Sequence, residues 1–571
     1  MRKRLPSLSS NFAGMIEENA YYIDKTKFIK KLEDLNFKYL FFLRPRRFGK
    51  SLTLSMLEYY YGVQYKERFD ELFGEYFIGK PENVTPFKNE YYILHFDFSG
   101  IETQDQEKIK RSFNNRISTG VNEFISNYGG FDSELMDQYE RELSPADYLA
   151  SFLSSVSSKM RSCKIYILID EYDHFTNELF SFNANQFKEI VSRNGWVRKF
   201  YEVIKQFTGS GLIDRFFATG VTPVTLDSMT SGFNIGSNIT LDSNYHALAG
   251  FTEEELKELI IGTIYTEDAF DLEKLLTDMR TWFNGSRFST ESSEKLYNPQ
   301  LVLSFLSNFK TNYTYPKLIT DNNVTSDWKK ISNILAKLPQ KESDSIIEEV
   351  YINERIKSGL STQFNLEIPY TRTDAISVLF YNGLLTIDEE KYGITHFVIP
   401  NYVIKNIYWE YFRVMYEQKN KVTFDLNEKA EIFEEMARDG RINLLVSETA
   451  KIMEPLTSND YQNFRESNIK MIVISLLSLN RMYIIHSEME VKDGRVDLLL
   501  TKYDPYDSKY QFLIEFKYVK VKEEKEFEKK KAEGIAQIQK YKHSENIKNL
   551  ANLKSYLVLF HNKRESEIIE V

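Results

Sequence analysis

Residues 39–61 constrain the fold more than any other stretch of the chain. Tyr39-Leu-Phe-Phe-Leu43 is a short unbroken apolar run, Arg44-Pro-Arg-Arg-Phe-Gly-Lys-Ser51 follows it, and Leu52 to Tyr61 carries helical periodicity. A buried strand that turns through Gly-Lys-Ser into a helix is the context of a phosphate-binding loop. Backbone N–H groups at the helix N-terminus point at phosphate oxygens there. On this pattern Arg46, Arg47, Phe48, Gly49, Lys50, Ser51 and Leu52 cradle the phosphates of ATP. Lys50 neutralises charge, the Ser51 hydroxyl ligates Mg²⁺, and Gly49 lets the backbone approach closely. One position departs from G-x-x-x-x-G-K-[ST]: the first glycine is Arg44.

A second apolar strand, Ile165 to Ile169, ends in Asp170-Glu171-Tyr172-Asp173. Two acids at the mouth of a hydrophobic strand are costly unless they face a cation or solvent. Asp170 is the candidate Mg²⁺ holder and Glu171 the candidate base for the attacking water. A third run, Arg215-Phe-Phe-Ala-Thr219-Gly220, puts a hydroxyl at a strand end, so Thr219 is a candidate γ-phosphate sensor. Arg46, Arg47 and Arg287 are candidates for charge stabilisation. With Tyr92 to Phe98 these runs alternate with helical patterns, which predicts an α/β parallel sheet with crossover helices.

At 571 residues the chain exceeds one ordinary core, and about three units are expected. It is 42% hydrophobic, and its charged residues mix both signs, which argues for packed interiors rather than disorder. A net charge of −10 excludes a globally basic nucleic-acid binder but not a locally basic cleft. The single cysteine, Cys163, excludes a disulfide framework and reads as a small buried thiol. The seven histidines show no metal-ligand spacing, and His174 reads as a loop residue. No secretory leader and no membrane-length apolar run is present, so the expected compartment is the cytoplasm.

The expected segments are 1–250, a P-loop domain; 251–420, a helical lid with a winged-helix-like part; and 421–571, an α/β unit. Thr252-Glu-Glu-Glu255 opens the helical region as an N-cap with acids in the first turn. Within it, a helix to Tyr381, the stop Asn382-Gly383, two strands and a further helix suit a winged-helix unit or a plain connecting subdomain.

The phosphate loop, preceded by Tyr22-Ile-Asp-Lys-Thr26 and followed by Ile169-Asp-Glu-Tyr-Asp173, Trp282-Phe-Asn-Gly-Ser-Arg-Phe288 and Tyr297-Asn-Pro299, closely resembles the bacterial AAA-ATPase-like family. Its members commonly carry a C-terminal PD-(D/E)XK nuclease-like domain, and the Arg44 departure is typical of them. The resemblance implies ATP binding and a restriction-endonuclease-like C-terminal fold.

The C-terminal residues have their own pattern. Asp493-Gly-Arg-Val-Asp497-Leu-Leu-Leu500 is a strand after a turn, and Phe512-Leu-Ile-Glu515-Phe-Lys517 is a second strand. If the hairpin is symmetric about Tyr506, Asp497 faces Glu515, and period-2 alternation puts Lys517 beside Glu515. Two facing carboxylates and an ammonium are poor core material but suit a divalent ion, Mg²⁺ or alternatively Mn²⁺. This matches the Asp, hairpin, Glu-x-Lys pattern of the nuclease family, with Asp497, Glu515 and Lys517 in the catalytic roles. Glu466 and Glu490 are candidate extra ligands. Gln537 and Tyr541, one helical turn apart, resemble its auxiliary Q-x-x-x-Y element.

The expected function is ATP hydrolysis coupled to Mg²⁺-dependent cleavage of nucleic acid, with DNA favoured over RNA. The alternative is a nucleotide-gated interaction switch whose nuclease-like domain binds but does not cut. No membrane partner is expected, and a homo-oligomer is left open.

Overall fold

The computed structural model describes residues 2–129, 144–160, 162–175, 177, 195–224, 233–319, 328–364, 369–454, 465–492, 494–503, 506–520, 525–561 and 565–571. Asp493, part of the turn read from the sequence, lies outside them. The chain groups into two units. One comprises Met1–Ser307, Lys330–Ile346 and Arg355–Tyr402; the other comprises Asn308–Lys329, Ile347–Glu354 and Val403–Val571.

In the first unit, β1 (Tyr39–Leu43), β2 (Tyr92–Asp97), β3 (Ile165–Asp170), β4 (Ile213–Gly220) and β5 (Ser237–Asn238) form a parallel sheet in the order β2-β3-β4-β1-β5. Every residue of β3 is buried, as is all of β1 except Tyr39. Continuous apolar strands of this kind are what a parallel sheet covered on both faces requires. Phe42, Leu168 and Phe217 share one core with Leu54, Leu57 and Tyr61 of the helix Lys50–Tyr61, and with Phe12, Phe28 and Ile29 of the lead-in. Because all strands run the same way, the phosphate loop, Asp170 and Thr219 leave the sheet at one edge, where such sheets bind ligands.

Two motifs in this unit have structural explanations. Asp24 accepts from Thr26 N at 2.9 Å and from Phe77 N at 2.7 Å, while the buried Lys25 Nζ meets both Glu255 carboxylate oxygens at 2.7 Å. Glu255 also closes the capping box with Thr252 at the start of the helix Glu253–Thr263, so one glutamate serves the helix end and the lead-in together. In Trp282 to Phe288, Gly285 has φ +124° and a Cβ there would lie 1.8 Å from the Pro400 carbonyl, which only glycine avoids.

The helix and hairpin read from the sequence are present: helix Arg372–Tyr381, then β7 (Thr386–Lys391) and β8 (Ile394–Val398). They gain a strand that sequence reading missed, β6 (Arg355–Ser358), giving an antiparallel sheet in the order β6-β8-β7.

The second unit holds a mixed sheet in the order β13-β12-β11-β10-β9, from β9 (Tyr483–Val491), β10 (Gly494–Lys502), β11 (Gln511–Val519), β12 (Leu553–His561) and β13 (Glu565–Glu570). Only the β11–β12 pair is parallel, and the crossover contains the helix Phe527–Tyr541. Ile538 and Tyr541 of that helix pack on Val496, Leu513, Leu557 and Leu559.

Among the described residues no helix is long and apolar enough to cross a membrane. Cys163 is buried, and burial pushes its thiol up to about 11, which leaves it unreactive.

Candidate functional site

The phosphate loop owes its shape to two left-handed residues, Arg47 at φ +72° and Gly49 at φ +91°, immediately before the helix Lys50–Tyr61. Nothing lies within 4 Å of where a Cβ on Gly49 would be, so the loop faces open space at the position a phosphate would take. Lys50 is buried, and its Nζ donates to the Pro45 carbonyl at 3.2 Å. Burial lowers its pKa, while the charges of Asp170, Glu171 and Asp173 oppose the shift. A cavity of about 220 Å³ opens over Gly49, Lys50 and Ser51 and reaches Glu171, Tyr21 and Phe251. The Phe48 ring is buried against Phe288 at 5.4 Å, so Phe48 can meet phosphate only through its main chain. Leu52 is half-buried and packs on the core.

Arg44, where the pattern has its first glycine, points away from this cavity. Its guanidinium is fully buried between the rings of Phe42 and Phe288, at 4.4 and 4.3 Å. It donates to the carbonyls of Leu43 and Thr240 at 2.8 Å, of His246 at 3.0 Å and of Tyr245 at 3.3 Å. Burial pushes its pKa down to about 9. The residue is an internal brace for the loop.

At the neighbouring strand ends, Asp170 Oδ1 accepts from Thr219 Oγ1 at 2.6 Å and from Glu171 N at 2.9 Å. Thr219 therefore positions the carboxylate rather than standing alone. Glu171 has φ +50°, an uncommon conformation for a non-glycine residue, and its Oε2 lies 2.9 Å from His174 Nδ1. The hydrogen bond from His174 is the main cause of its lowered pKa. His174 also lies 3.4 Å from Arg46, so it belongs to the cluster rather than to a bare loop. Asp173 is a brace: it accepts from Val221 N and Thr222 N, and burial raises its pKa.

Arg287 does not join the phosphate cluster. Its guanidinium holds the carbonyls of Ser289, Thr290 and Asp388. The sequence does not separate this role from charge stabilisation, because the same guanidinium donors serve both. Asn298, by contrast, reaches back to the Arg46 carbonyl at 3.4 Å.

The second unit carries a separate cluster. The β10–β11 register pairs Leu498 with Ile514, Leu499 with Leu513 and Leu500 with Phe512, the symmetry expected about Tyr506. Continued by one residue it sets Asp497 against Glu515, where the ladder gives way and Asp497 Oδ2 accepts from Phe516 N at 2.9 Å. Lys517 Nζ donates to Glu515 Oε1 at 2.9 Å. Glu515 is 3% exposed, and its other oxygen, Oε2, has no hydrogen-bond partner. Burial, then the Asp497 charge, raises its pKa to about 7. An orphaned carboxylate oxygen beside a second carboxylate fits a divalent cation. Tyr541 packs against Gly494, and its pKa is raised by burial and by Glu515 and Asp497. Gln537, one turn earlier, has a buried Oε1 without a hydrogen-bond partner. Glu466 is half-buried and accepts from Tyr518 N at 3.2 Å.

Glu490 is not part of this cluster: its side chain is 78% exposed and pairs with Arg495. The β9 carboxylate that reaches the cluster is Glu488, which meets Lys470. Lys470, on the helix Glu466–Leu477, also donates to Asp497 Oδ1 at 2.8 Å. Burial pulls its pKa down, but the two carboxylates outweigh burial and the net shift is upward. Sequence reading missed Lys470 and Glu488; a lysine in the otherwise apolar run Ile469 to Ile474 was the available signal. Among the described residues no group of three or more His, Cys, Asp or Glu side chains is placed to hold a metal ion. A divalent ion here would thus rest on Asp497 and Glu515 and draw its other ligands from water or substrate.

Residues 8–230 match the family described as predicted AAA-ATPase, and residues 464–570 match the PD-(D/E)XK nuclease superfamily. A curated relative, an uncharacterized protein in the vnfD 5' region of Azotobacter chroococcum mcd 1, is 27% identical over 321 residues. The match covers 53% of this chain and 52% of that protein, so the chain spans about half the length of the relative. Both matched segments contain the clusters described above, and the chain joins a predicted AAA-ATPase domain over residues 8–230 to a PD-(D/E)XK nuclease superfamily domain over residues 464–570.

Proposed function

We propose that the chain is a cytoplasmic ATP-dependent nuclease, in which ATP hydrolysis in segment 1–250 licenses cleavage of nucleic-acid phosphodiesters, DNA before RNA, in segment 421–571. Segment 251–420 serves as a helical lid with a winged-helix-like part. The observation that carries the catalytic half is Glu515, buried, opposite Asp497 and with one oxygen left over. Asp497 and Glu515 would hold Mg²⁺ or Mn²⁺, and the ion, when bound, supplies an acidic water and offsets charge on the scissile phosphate. Lys517 orients the water, while Gln537 and Tyr541 frame the substrate side. In the first unit Lys50 and the loop N–H groups bind the β- and γ-phosphates, Ser51 and Asp170 would hold Mg²⁺, and Thr219 fixes Asp170. Glu171 accepts the proton of the attacking water once it leaves His174.

A matrix of purified chain with DNA or RNA, with and without Mg²⁺ and with and without ATP, tests this. Cleavage only with both Mg²⁺ and ATP is the expected result; cleavage indifferent to ATP removes the coupling. The Lys470 contacts to Asp497 and Glu488 favour a second reading, a nucleotide-gated switch that binds without cutting, because they satisfy two of the acids with no metal. ATP-tuned binding with no cleavage in any arm selects it.

A further inference from the structure

Asp497 lies in the middle of a row of three carboxylates. The β9–β10 register pairs Val496 with Met489 and Leu498 with Ser487, and carried through Asp497 it sets Glu488 opposite. On the other side, the β10–β11 register sets Glu515 opposite the same residue. Like charges facing one another across neighbouring strands repel, so the row requires positive charge.

That charge is distributed unevenly. On the Glu515 side, Lys517 takes one oxygen and leaves Oε2 without a hydrogen bond. On the Glu488 side, the Lys470 ammonium meets Glu488 Oε1 and Asp497 Oδ1 together, with its side chain only 9% exposed. Glu466 precedes Lys470 by four residues on the same helix, which puts both on one helix face. Two of the oxygens that a second dication would need are therefore already bound to an ammonium.

We propose that Lys470 is the resident cation of the Glu488 side of the site, and that the C-terminal domain consequently takes one divalent ion, between Asp497 and Glu515, rather than two. The inference rests on the metal-binding reading given above. Lys470 acts as a positioning residue: it holds Asp497 by one oxygen, and Phe516 N holds it by the other.

Counting ions tests it. The full-length chain without nucleotide, in an Asp170→Asn background so that the ATP site does not contribute, is titrated with Mn²⁺ while free Mn²⁺ is read by electron paramagnetic resonance. One tightly bound Mn²⁺ is expected, lost in Glu515→Gln. Lys470→Gln should raise the count to two, and Lys470→Arg should keep it at one. At saturation the unsubstituted Lys470 chain should give the spectrum of an isolated Mn²⁺, a readout that does not depend on how Lys470→Gln folds. Two ions, or a spin-coupled pair, with Lys470 in place overturn the Lys470 assignment while leaving the metal site standing, provided Glu515→Gln still removes binding. A count of one in a folded Lys470→Gln chain overturns it too. Binding that is absent, or unaffected by Glu515→Gln, overturns both this inference and the reading beneath it.

Discussion

Lys50 stands near a carboxylate at a strand end and Lys517 beside carboxylates in mid-strand, and their surroundings set opposite demands. Lys50 Nζ rests on a backbone carbonyl, and burial lowers its pKa, so a ligand with negative charge is what the position lacks. Lys517 is bound to Glu515, and carboxylate charge outweighs burial to raise its pKa. The difference follows from topology. Parallel strands deliver their ends to a loop and a helix N-terminus, which gather partial positive charge for an anion. An antiparallel ladder instead aligns side chains across strands, and here it aligns acids, so the position lacks a cation.

The strongest break between the two clusters is Glu171→Gln. ATP should still bind, while turnover falls by about 10²–10⁴-fold, the range for a lost positioned base, and Mn²⁺ binding at Glu515 should not change. A wild-type rate in a phosphate-release assay would remove Glu171 from the chemistry. Lys50→Ala should weaken ATP binding by roughly 10–150-fold, from the loss of a charge-assisted contact of about 1.5–3 kcal/mol. Equal affinity by calorimetry in a folded variant would show that Lys50 does not meet phosphate.

Arg44→Met sharpens the comparison from the stability side. It leaves the carbonyls of Leu43, Thr240, Tyr245 and His246 without their donor, and should cost about 2–4 kcal/mol in urea unfolding. An unchanged or raised midpoint would mean that relief from burying the charge outweighs the lost bonds.

The smallest effect concerns pH. The folded pKa of Glu515, about 7, lies above the ordinary carboxyl value, so the folded state holds the proton more tightly. With metal chelated, stability should be greatest below about pH 4.5 as far as this group is concerned, and should fall as pH rises through 7. Glu515→Gln should flatten that slope. At pH 7.5 added Mn²⁺ should raise the melting temperature of the native chain but not of the variant.

The sequence carried the parts that depend on local pattern. An unbroken apolar run marked β1 and β3, Gly49-Lys50-Ser51 marked the loop, and hairpin symmetry gave the register that faces Asp497 with Glu515. What escaped depends on contacts distant in sequence. Lys470 meets Asp497 from 27 residues away, and nothing in the local pattern points a helical lysine at that strand. Glu490 is a candidate ligand by sequence, but the ladder pairs it with Arg495 and, carried through Asp497, sets Glu488 opposite that residue. Arg44 and Arg287 are legible in the sequence as arginines; that both are braced on carbonyls is not.

The Arg44 brace changes when ordering occurs. A loop that begins with glycine keeps much of its freedom until a ligand arrives, and the entropy lost on ordering then weakens binding. Here four carbonyl bonds and two aromatic rings fix the first loop residue before any nucleotide is present. The cost of ordering that end of the loop is met during folding rather than on binding.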